Sequence, residues 1–369
     1  MKKTLFAALA LAFVASCSNE EVVEMAQKEA ISFENAFVNN STRSVSDPSL
    51  TLDGTNKLAN FQVYGFVADS HLFGADGTEV SKNGNAWTYT ETQYWIKDAK
   101  YNFAAVAPVT NGGWVVKDNT ELSKNSVTLT VTNTDGTNDV LYAHSGEITG
   151  QAPNQNSPVA FTFNHIMSKV KFSFLNSYNA SNTVIRVRNI KITNAYKTCD
   201  VTLASTDKTT DQTVSSTIAT WATLSGDKNV TLDFGNASTI AANNTESDIA
   251  IGAEMESYNE RLLIPGQAIY NVTFIVDIVV DGDVIATYDK HTATVNHNFV
   301  AGYAYDIKAT INEKNIDPAN EQQSIQFTFT AINDWNYDHE GYDPGVDATV
   351  NTTPATGENG SNTGGMGGI

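Results

Sequence analysis

The sequence has 369 residues, of which 41 are acidic and 22 are basic, and its formal net charge is −19. Beyond Lys2 and Lys3 it contains no cluster of basic residues that could displace counterions from a nucleic-acid backbone, which argues against a nucleic-acid partner. Hydrophobic residues make up 41% of the chain, which at this length is enough for two cores of ordinary size.

Residues 1–17 have the pattern of a secretory signal: two lysines, an apolar run too short to span a bilayer, and two small residues directly before Cys17. Residues 14–17 resemble the bacterial lipobox, in which the cysteine thiol takes a diacylglycerol and becomes the mature N-terminus. The alternative is an ordinary signal peptide with a chance cysteine. Residues 18–21 resemble the acidic export tag of Bacteroidetes surface lipoproteins. We therefore expect a lipid-anchored precursor on the outer face of an outer membrane.

The cysteine count limits the redox chemistry of the chain. Acylation of Cys17 leaves only Cys199, so an intramolecular disulfide and a CxxC metal or redox site are excluded. Cys199 is predicted to be a buried small residue near the end of a strand rather than a reactive thiol.

A short strand is predicted over residues 30–38, with Ile31, Phe33 and Phe37 as its apolar members. The polar run that follows ends at Arg43, the first arginine of the sequence, directly before Ser44. This composition predicts an exposed loop between the strand and the rest of the chain.

After Arg43, short apolar or aromatic runs alternate with clusters of Asn, Gly, Asp and Thr. Their spacing and β-branched content predict an all-β architecture of the sandwich type. Strands are predicted over residues 61–68, 86–89, 101–107, 126–131, 140–144, 159–163, 169–175, 184–193, 201–203, 230–234, 260–263, 270–280, 284–290, 303–311 and 325–332. Asp281 and Gly282 tolerate the positive φ of a two-residue turn, so residues 270–290 are predicted to form one long hairpin.

Two breaks in composition divide the chain. Residues 151–158 contain two prolines and almost no apolar residue, which predicts a domain boundary. We therefore expect an N-terminal domain over residues 44–153 and a C-terminal domain over residues 159–335. The polar tail at residues 336–369 is predicted to be disordered.

No set of residues in the sequence makes a persuasive catalytic or metal site. The six histidines are scattered, and His165 is predicted to be a hydrogen-bonded interior residue. Residues 133–139 have the oxygen density of a calcium loop but lack the bidentate Glu of the helical version, so a hairpin turn explains them better. Glu254 and Glu256 are interpreted as part of a solvated loop. Because nucleophile, zinc and phosphate-loop motifs are missing, we predict no enzyme activity and no cofactor.

Several short motifs together carry a family resemblance. They are DVLYA at 139–143, FTFNHIMSKVKF at 161–172, LIPGQ at 263–267, AGY at 301–303 and INDW at 332–335. With the signal and lipid-acceptor pattern, the chain from Cys17 to Trp335 resembles the fimbrillin family of Bacteroidales, the type V pilins.

The resemblance implies a fimbrial subunit of two tandem transthyretin-like β-sandwich domains. It implies that residues 18–43 are a tether and a removable first strand, which a trypsin-like, Arg-specific protease separates by cutting between Arg43 and Ser44. The groove left by the removed strand is then filled by a strand from another subunit, of the same or a different kind. The subunits form an extracellular fimbrium that adheres to a host or bacterial receptor. The alternative at Arg43 is an uncut surface loop.

The candidate donor strand lies within residues 324–335. Ile325, Phe327, Phe329 and Ala331 alternate with polar residues and therefore share one face of a strand. If this strand stays in its own domain, the polar tail makes a poor donor, and the protein would be a terminal subunit.

The main alternative function is a monomeric surface lipoprotein that binds glycan. Trp87, Trp95, Trp114 and Trp221 could stack on sugars, although tryptophan at strand positions more often packs in a core. Loss or retention of the N-terminal segment distinguishes the two functions.

Overall fold

The computed structural model describes residues 28–38, 58–84, 86–109, 113–117, 126–204, 219–239, 244–316 and 327–334. Within these residues the chain forms β-strands and a single short helix, α1 (Glu313–Ile316), so the predicted all-β class is confirmed. No helix in this part of the chain has the length and apolar character needed to cross a membrane. The predicted lipid-acceptor and cleavage residues, one donor residue and the tail lie outside the described residues: Cys17, Arg43, Ser44, Ile325 and 336–369.

Most of the described residues belong to strands. In chain order the strands are β1 (Phe33–Val38), β2 (Asn60–Val67), β3 (Ser70–His71), β4 (Thr78–Asn83), β5 (Ala86–Thr88), β6 (Lys100–Ala107), β7 (Trp114–Val116), β8 (Ser126–Thr132), β9 (Leu141–Thr149), β10 (Val159–His165), β11 (Ser168–Asn176), β12 (Thr183–Ala195), β13 (Thr198–Ala204), β14 (Ala219–Trp221), β15 (Val230–Gly235), β16 (Glu254–Glu256), β17 (Arg261–Leu263), β18 (Ile269–Val280), β19 (Asp283–Asn296), β20 (Tyr303–Ile311) and β21 (Phe327–Asp334).

The largest sheet has eight strands in the order β1-β10-β9-β6-β2-β4-β5, with β3 beside β2. It curls so that its two ends face each other. The ring of Phe61 on β2 lies 5.0 Å from Trp87 on β5 and 5.6 Å from Phe161 on β10, measured between centroids. The space enclosed by this curl is filled by what we call the aromatic core, which includes Phe33, Phe61, Phe103, Phe161 and Phe163.

A four-stranded sheet in the order β14-β13-β8-β7 packs on the other face of the large sheet. The side chains of β8 alternate, with Val127, Leu129 and Val131 buried and the residues between them partly exposed. This period of two gives β8 one apolar face, and that face packs in a second cluster, the shared core, with Tyr142 of the large sheet and Leu203 of β13.

The remaining strands form a two-layered sandwich. One sheet has the order β16-β11-β20-β21, with β17 beside β11, and the other has the order β15-β12-β18-β19. Strands β11 and β20 run parallel at the centre of the first sheet, and their apolar residues Phe172, Phe174 and Ile307 are fully buried against the second sheet in the C-terminal core. The predicted hairpin is confirmed: β18 pairs with β19 across Asp281 (φ 51°) and Gly282 (φ 94°).

Strand pairing crosses the predicted domain boundary in two places. Strand β10, which follows residues 151–158, pairs with β1 and β9 in the large sheet. Strand β13 pairs antiparallel with β8 over the whole of both strands, from Thr198 opposite Thr132 to Ala204 opposite Ser126. The two halves of the chain are therefore joined by continuous backbone hydrogen bonding.

We expect the shared core to stabilise both halves of the chain together. Leu203 is fully buried there, so Leu203→Ala should lower the free energy of unfolding by about 2–5 kcal/mol through lost burial and the cavity left behind. Chemical denaturation followed by far-UV circular dichroism measures this. Thr202→Ser, at an exposed position of the same strand, keeps the hydroxyl that lies 3.3 Å from that of Thr128; it is the control and should change stability by about 0.5 kcal/mol or less. Equal effects of the two changes would contradict this packing.

Candidate functional site

Strand β1 lies at the edge of the large sheet and pairs with β10 alone among the strands of that sheet. The pairing is parallel, with Phe33 opposite Val159, Glu34 opposite Ala160 and Phe37 opposite Thr162. The register shifts between Glu34 and Phe37, because β1 has one more residue than β10 over that stretch, as in a β-bulge. An edge strand can leave a sheet without breaking a second ladder.

The side chains at the start of this segment alternate between core and solvent. Ile31 and Phe33 are 1% and 4% exposed, whereas Ser32 and Glu34 are exposed. Ile31 and Phe33 therefore share an apolar face, while strand β1 itself begins at Phe33. Phe37 lies in β1, opposite Thr162 of β10.

The ring of Phe33 lies at the centre of the aromatic core. It stacks on Phe161 with centroids 6.0 Å apart and meets Tyr89 edge-on at 5.5 Å. Three further phenylalanine rings lie within 6.5 Å of it: Phe61, Phe73 and Phe103. Such pairs add about 0.5–1.5 kcal/mol each to the burial of area itself.

The backbone directly before β1 is hydrogen-bonded on both sides. On one side, the Ile31 N–H donates to the Gln93 carbonyl (2.8 Å) and the Trp95 N–H donates to the Glu29 carbonyl (2.9 Å). The Tyr89 hydroxyl also donates to the Ile31 carbonyl (2.8 Å). On the other side, the Val159 N–H donates to the Ser32 carbonyl (2.8 Å). Residues 29–32 therefore occupy a slot between the 89–95 loop and β10.

A polar subsite lies at the start of this slot. The Asn156 side-chain amide donates to Glu29 Oε2 at 2.6 Å, and the Asn156 backbone N–H donates to the same oxygen at 3.3 Å. Hydrogen bonding by the Asn156 side chain, joined by the backbone N–H groups of Asn154, Gln155 and Asn156, outweighs partial desolvation and holds the pKa of Glu29 below its usual value. Successive N–H groups that converge in this way form an anion-binding nest.

The nest is held in shape by its own loop. Asn156 Oδ1 accepts a hydrogen bond from the Gln151 N–H at 2.7 Å, and the Gln155 N–H donates to the Ala152 carbonyl at 3.1 Å. Asn154 has a φ of 63°, the left-handed conformation that asparagine tolerates better than most residues. We call residues 151–156, with these bonds, the carboxylate nest.

Sequence reasoning missed Glu29, Tyr89 and Asn156 as parts of this site. The polar composition of residues 151–158 predicted a boundary, and a loop that binds a side chain has the same composition. Glu29 precedes Ile31 by two residues, but its partners Trp95 and Asn156 lie far away along the chain.

The candidate donor residues lie in a different sheet from this site. Strand β21 pairs antiparallel with β20, with Phe329 opposite Ile307 and Ala331 opposite Tyr305. Phe327 is 2% exposed in the C-terminal core, and its ring lies 6.1 Å from those of Phe172 and Phe274. Like β1, β21 is an edge strand.

The residues weighed for other chemistry have structural roles. His165 Nδ1 lies 2.6 Å from Asp139 Oδ2, and both residues are buried, so the interior assignment of His165 is confirmed. Cys199 is buried, and burial raises the pKa of its thiol. In the described part of the chain, no three His, Cys, Asp or Glu side chains are grouped to hold a metal ion.

The prediction that Glu254 and Glu256 lie in a loop is wrong. They form the short strand β16, which pairs with β11, and they make ion pairs with Lys308 (2.6 Å) and Lys171. These cross-strand charges compensate for the low β-propensity of glutamate.

The four tryptophans considered for glycan binding pack against the cores. Trp95 is buried in the aromatic core and Trp87 packs on it, while Trp114 and Trp221 pack on the shared core. The indole N–H groups of Trp114 and Trp221 donate to the carbonyls of Pro108 (2.8 Å) and Ile166 (3.2 Å). Their polar ends are thus used within the fold.

Comparison with known families gives a match over most of the chain. Residues 42–335 match the family described as fimbrillin-like. No curated protein is significantly similar to this chain in sequence.

Similar solved structures come from Bacteroides and Porphyromonas species. A candidate cell adhesion protein from Bacteroides uniformis is 15% identical, and the match covers 84% of this chain and 99% of that one with a TM-score of 0.39. The fimbrial anchor protein Mfa2 from Porphyromonas gingivalis is 12% identical, with 82% and 98% covered and a TM-score of 0.33. A candidate polysaccharide-binding protein from Bacteroides thetaiotaomicron is 11% identical, with 84% and 99% covered and a TM-score of 0.35.

The five aromatic rings around Phe33 indicate that this residue is the main anchor of β1 in the aromatic core. In the uncut chain, Phe33→Ala should lower the free energy of unfolding by about 3–5 kcal/mol, because it empties the centre of the aromatic core. Glu34→Ala, on the exposed face of the same strand, should cost about 0.5 kcal/mol or less. Urea denaturation of both variants provides the comparison. Similar losses for the two would show that β1 does not depend on its buried face.

Proposed function

The chain belongs to the fimbrillin-like family and is of the fimbrial, surface-adhesion type, and from this we propose that it is a structural fimbrial subunit that assembles by strand exchange. In this proposal, β1 holds the groove of the aromatic core in the precursor. Proteolysis removes β1, and a strand of another subunit replaces it. The role is structural and adhesive rather than catalytic.

The observation that carries the proposal is the position of β1. It is an edge strand, it pairs in parallel with β10, and its segment places Ile31 and Phe33 in the interior. Such an edge strand can leave once its ladder to β10 and the backbone hydrogen bonds between residues 29–31 and Gln93 and Trp95 are broken. Its departure would open a ready-made apolar groove along β10.

Without β1, the groove along β10 should bind a replacing strand strongly, because its backbone groups and aromatic rings have lost their partners. Each backbone N–H or C=O group of β10 left buried and unpaired costs about 1–3 kcal/mol, and the five aromatic rings around Phe33 would lose their central contact. A replacing strand recovers both contributions at once, through main-chain hydrogen bonds and alternate side chains. While β1 stays in place the groove is filled and assembly is blocked.

The switch from precursor to subunit is the cut between Arg43 and Ser44. We propose that a trypsin-like, Arg-specific protease makes it at the cell surface, where Cys17 anchors the precursor to the outer membrane by a lipid. The mature chain then begins at Ser44 and enters an extracellular fimbrium with other subunits of the same or a different kind. A host or bacterial receptor is the expected target of adhesion.

The C-terminal segment of the chain is the candidate donor. Its residues Ile325 and Phe327 reproduce the spacing of Ile31 and Phe33, so one strand can place an isoleucine and a phenylalanine in the same two positions of the groove. Among the described strands, β21 lies at a sheet edge and pairs with β20 alone, so its release opens a single ladder of that sheet. If β21 is retained instead, the protein is a terminal subunit.

Replacement of Arg43 tests the proteolytic cut between Arg43 and Ser44. Arg43→Ala should leave a full-length, folded, acylated monomer on the cell surface, because the groove stays filled. N-terminal sequencing and a denaturation-resistant ladder on a gel measure the two outcomes, with a Ser44 start and a ladder expected for the natural chain. Lys57→Ala is the matched control and should assemble normally. A normal ladder from Arg43→Ala would refute the cleavage step.

The second prediction concerns the donor. Aligning Phe327 with Phe33 sets Thr328 at the position of Glu34, which lies opposite Ala160. A chain with Thr328→Cys and Ala160→Cys should therefore form disulfide-linked multimers once it is cut. When β21 stays paired with β20, Thr328 lies opposite Lys308. A disulfide between Thr328→Cys and Lys308→Cys should therefore hold β21 on β20 and stop assembly. Unchanged assembly of the trapped chain would rule out this segment as donor.

A further inference from the structure

We infer that the carboxylate nest at residues 151–156 is a specificity subsite that selects the strand entering the groove and sets its register. It accepts a side-chain oxygen of a Glu or Gln residue that stands two residues before the isoleucine anchor. The occupant in the exchanged state is Gln323 of a second copy of this chain. This inference rests on the proposed function.

The nest is a built site that the protein itself occupies. The Glu29 carboxylate receives the Asn156 side-chain amide at 2.6 Å and the Asn156 N–H at 3.3 Å, and the loop that presents these donors is held by its own hydrogen bond from Gln151 to Asn156 Oδ1. The donors are thus oriented before any ligand arrives, which reduces the cost of binding. When the first strand leaves, the same donors are free for the next occupant.

The subsite supplies information that the apolar groove lacks. Apolar pockets that are spaced two residues apart accept any alternating strand, and a strand can slip along them by two residues with its faces unchanged. A fixed polar anchor at one end distinguishes these registers, because a slipped strand would leave the nest donors unpaired or would place an apolar side chain against them.

The sequence contains a second segment with the required pattern. Residues 29–33 read EAISF and residues 323–327 read QSIQF. Both have a three-carbon side chain ending in an oxygen acceptor, then a small residue, an isoleucine, a polar residue and a phenylalanine. The match extends beyond the two apolar anchors and includes the residue that would enter the nest.

At the position that would enter the nest, the difference between the two segments favours one of them. Glu29 carries a charge, whereas Gln323 is neutral, and hydrogen bonds to a charged acceptor are about twice as strong as neutral ones. In the nest, the chain's own strand is therefore favoured over the donor strand. The nest therefore adds to the barrier against premature assembly.

Peptide competition on the full-length chain tests this inference. The chain is cut after Arg43 with an Arg-specific protease, and fluorescent peptides of residues 28–38 or 322–332 are titrated into it. Glu29→Ala in the first peptide should weaken binding about 5- to 20-fold, while Glu34→Ala, on an exposed residue of the same strand, should leave it unchanged. In the second peptide, Gln323→Glu should strengthen binding and Gln323→Ala should weaken it.

A charge swap assigns the effect to the loop. Asn156→Asp keeps the oxygen that accepts from Gln151 but replaces the amide donor with a negative charge, so it should reverse the preference and favour a Glu29→Lys peptide. Thermal melts of the uncut chain check that the variant folds, and Asn156→Ala is the second variant. Peptide affinities that do not depend on residue 29, or the same preferences in both Asn156 variants, would overturn the inference while leaving strand exchange supported. Failure of every peptide to bind and of the 18–43 fragment to leave would instead contradict the proposed function.

Discussion

The burial of one phenylalanine ring fixes the arrangement of the N-terminal half. Phe33 is surrounded by rings from β2, β6 and β10 and from the segment after β5, which together span the large sheet from one end to the other. The sheet can curl because a bulky side chain from its edge strand fills the space enclosed. The residue that completes this core therefore belongs to an edge strand, which pairs with β10 alone among the strands of its sheet.

The two halves of the chain are not independent packing units. Strand β13 extends the sheet of β8, and the buried pair of His165 and Asp139 lies close to the turn from β10 to β11. A charged or polar pair in such a place is costly to separate, because each partner would be left buried alone. Strand β1, which pairs with β10, takes no part in the ladder between β8 and β13.

The sequence predicted elements whose pattern is local and missed those that depend on distant partners. Alternation revealed β8 and β20, and Asp281 with Gly282 revealed the hairpin, since these signals lie within a few residues. Strands β4, β7, β14 and β16 are short or polar, and pairing with neighbours rather than composition makes them strands. The parallel pairing of β1 with β10, and the use of residues 151–156 as a nest for Glu29, join segments that no local pattern connects.

The antiparallel ladder between β8 and β13 also has a mechanical meaning. A pull that separates the halves along the direction of these strands acts on all their hydrogen bonds in parallel, so the ladder is sheared as a unit and resists more force than bonds opened one after another. A molecule joined in this way behaves under tension as one stiff link. Extension would then come from the segments outside its sheets.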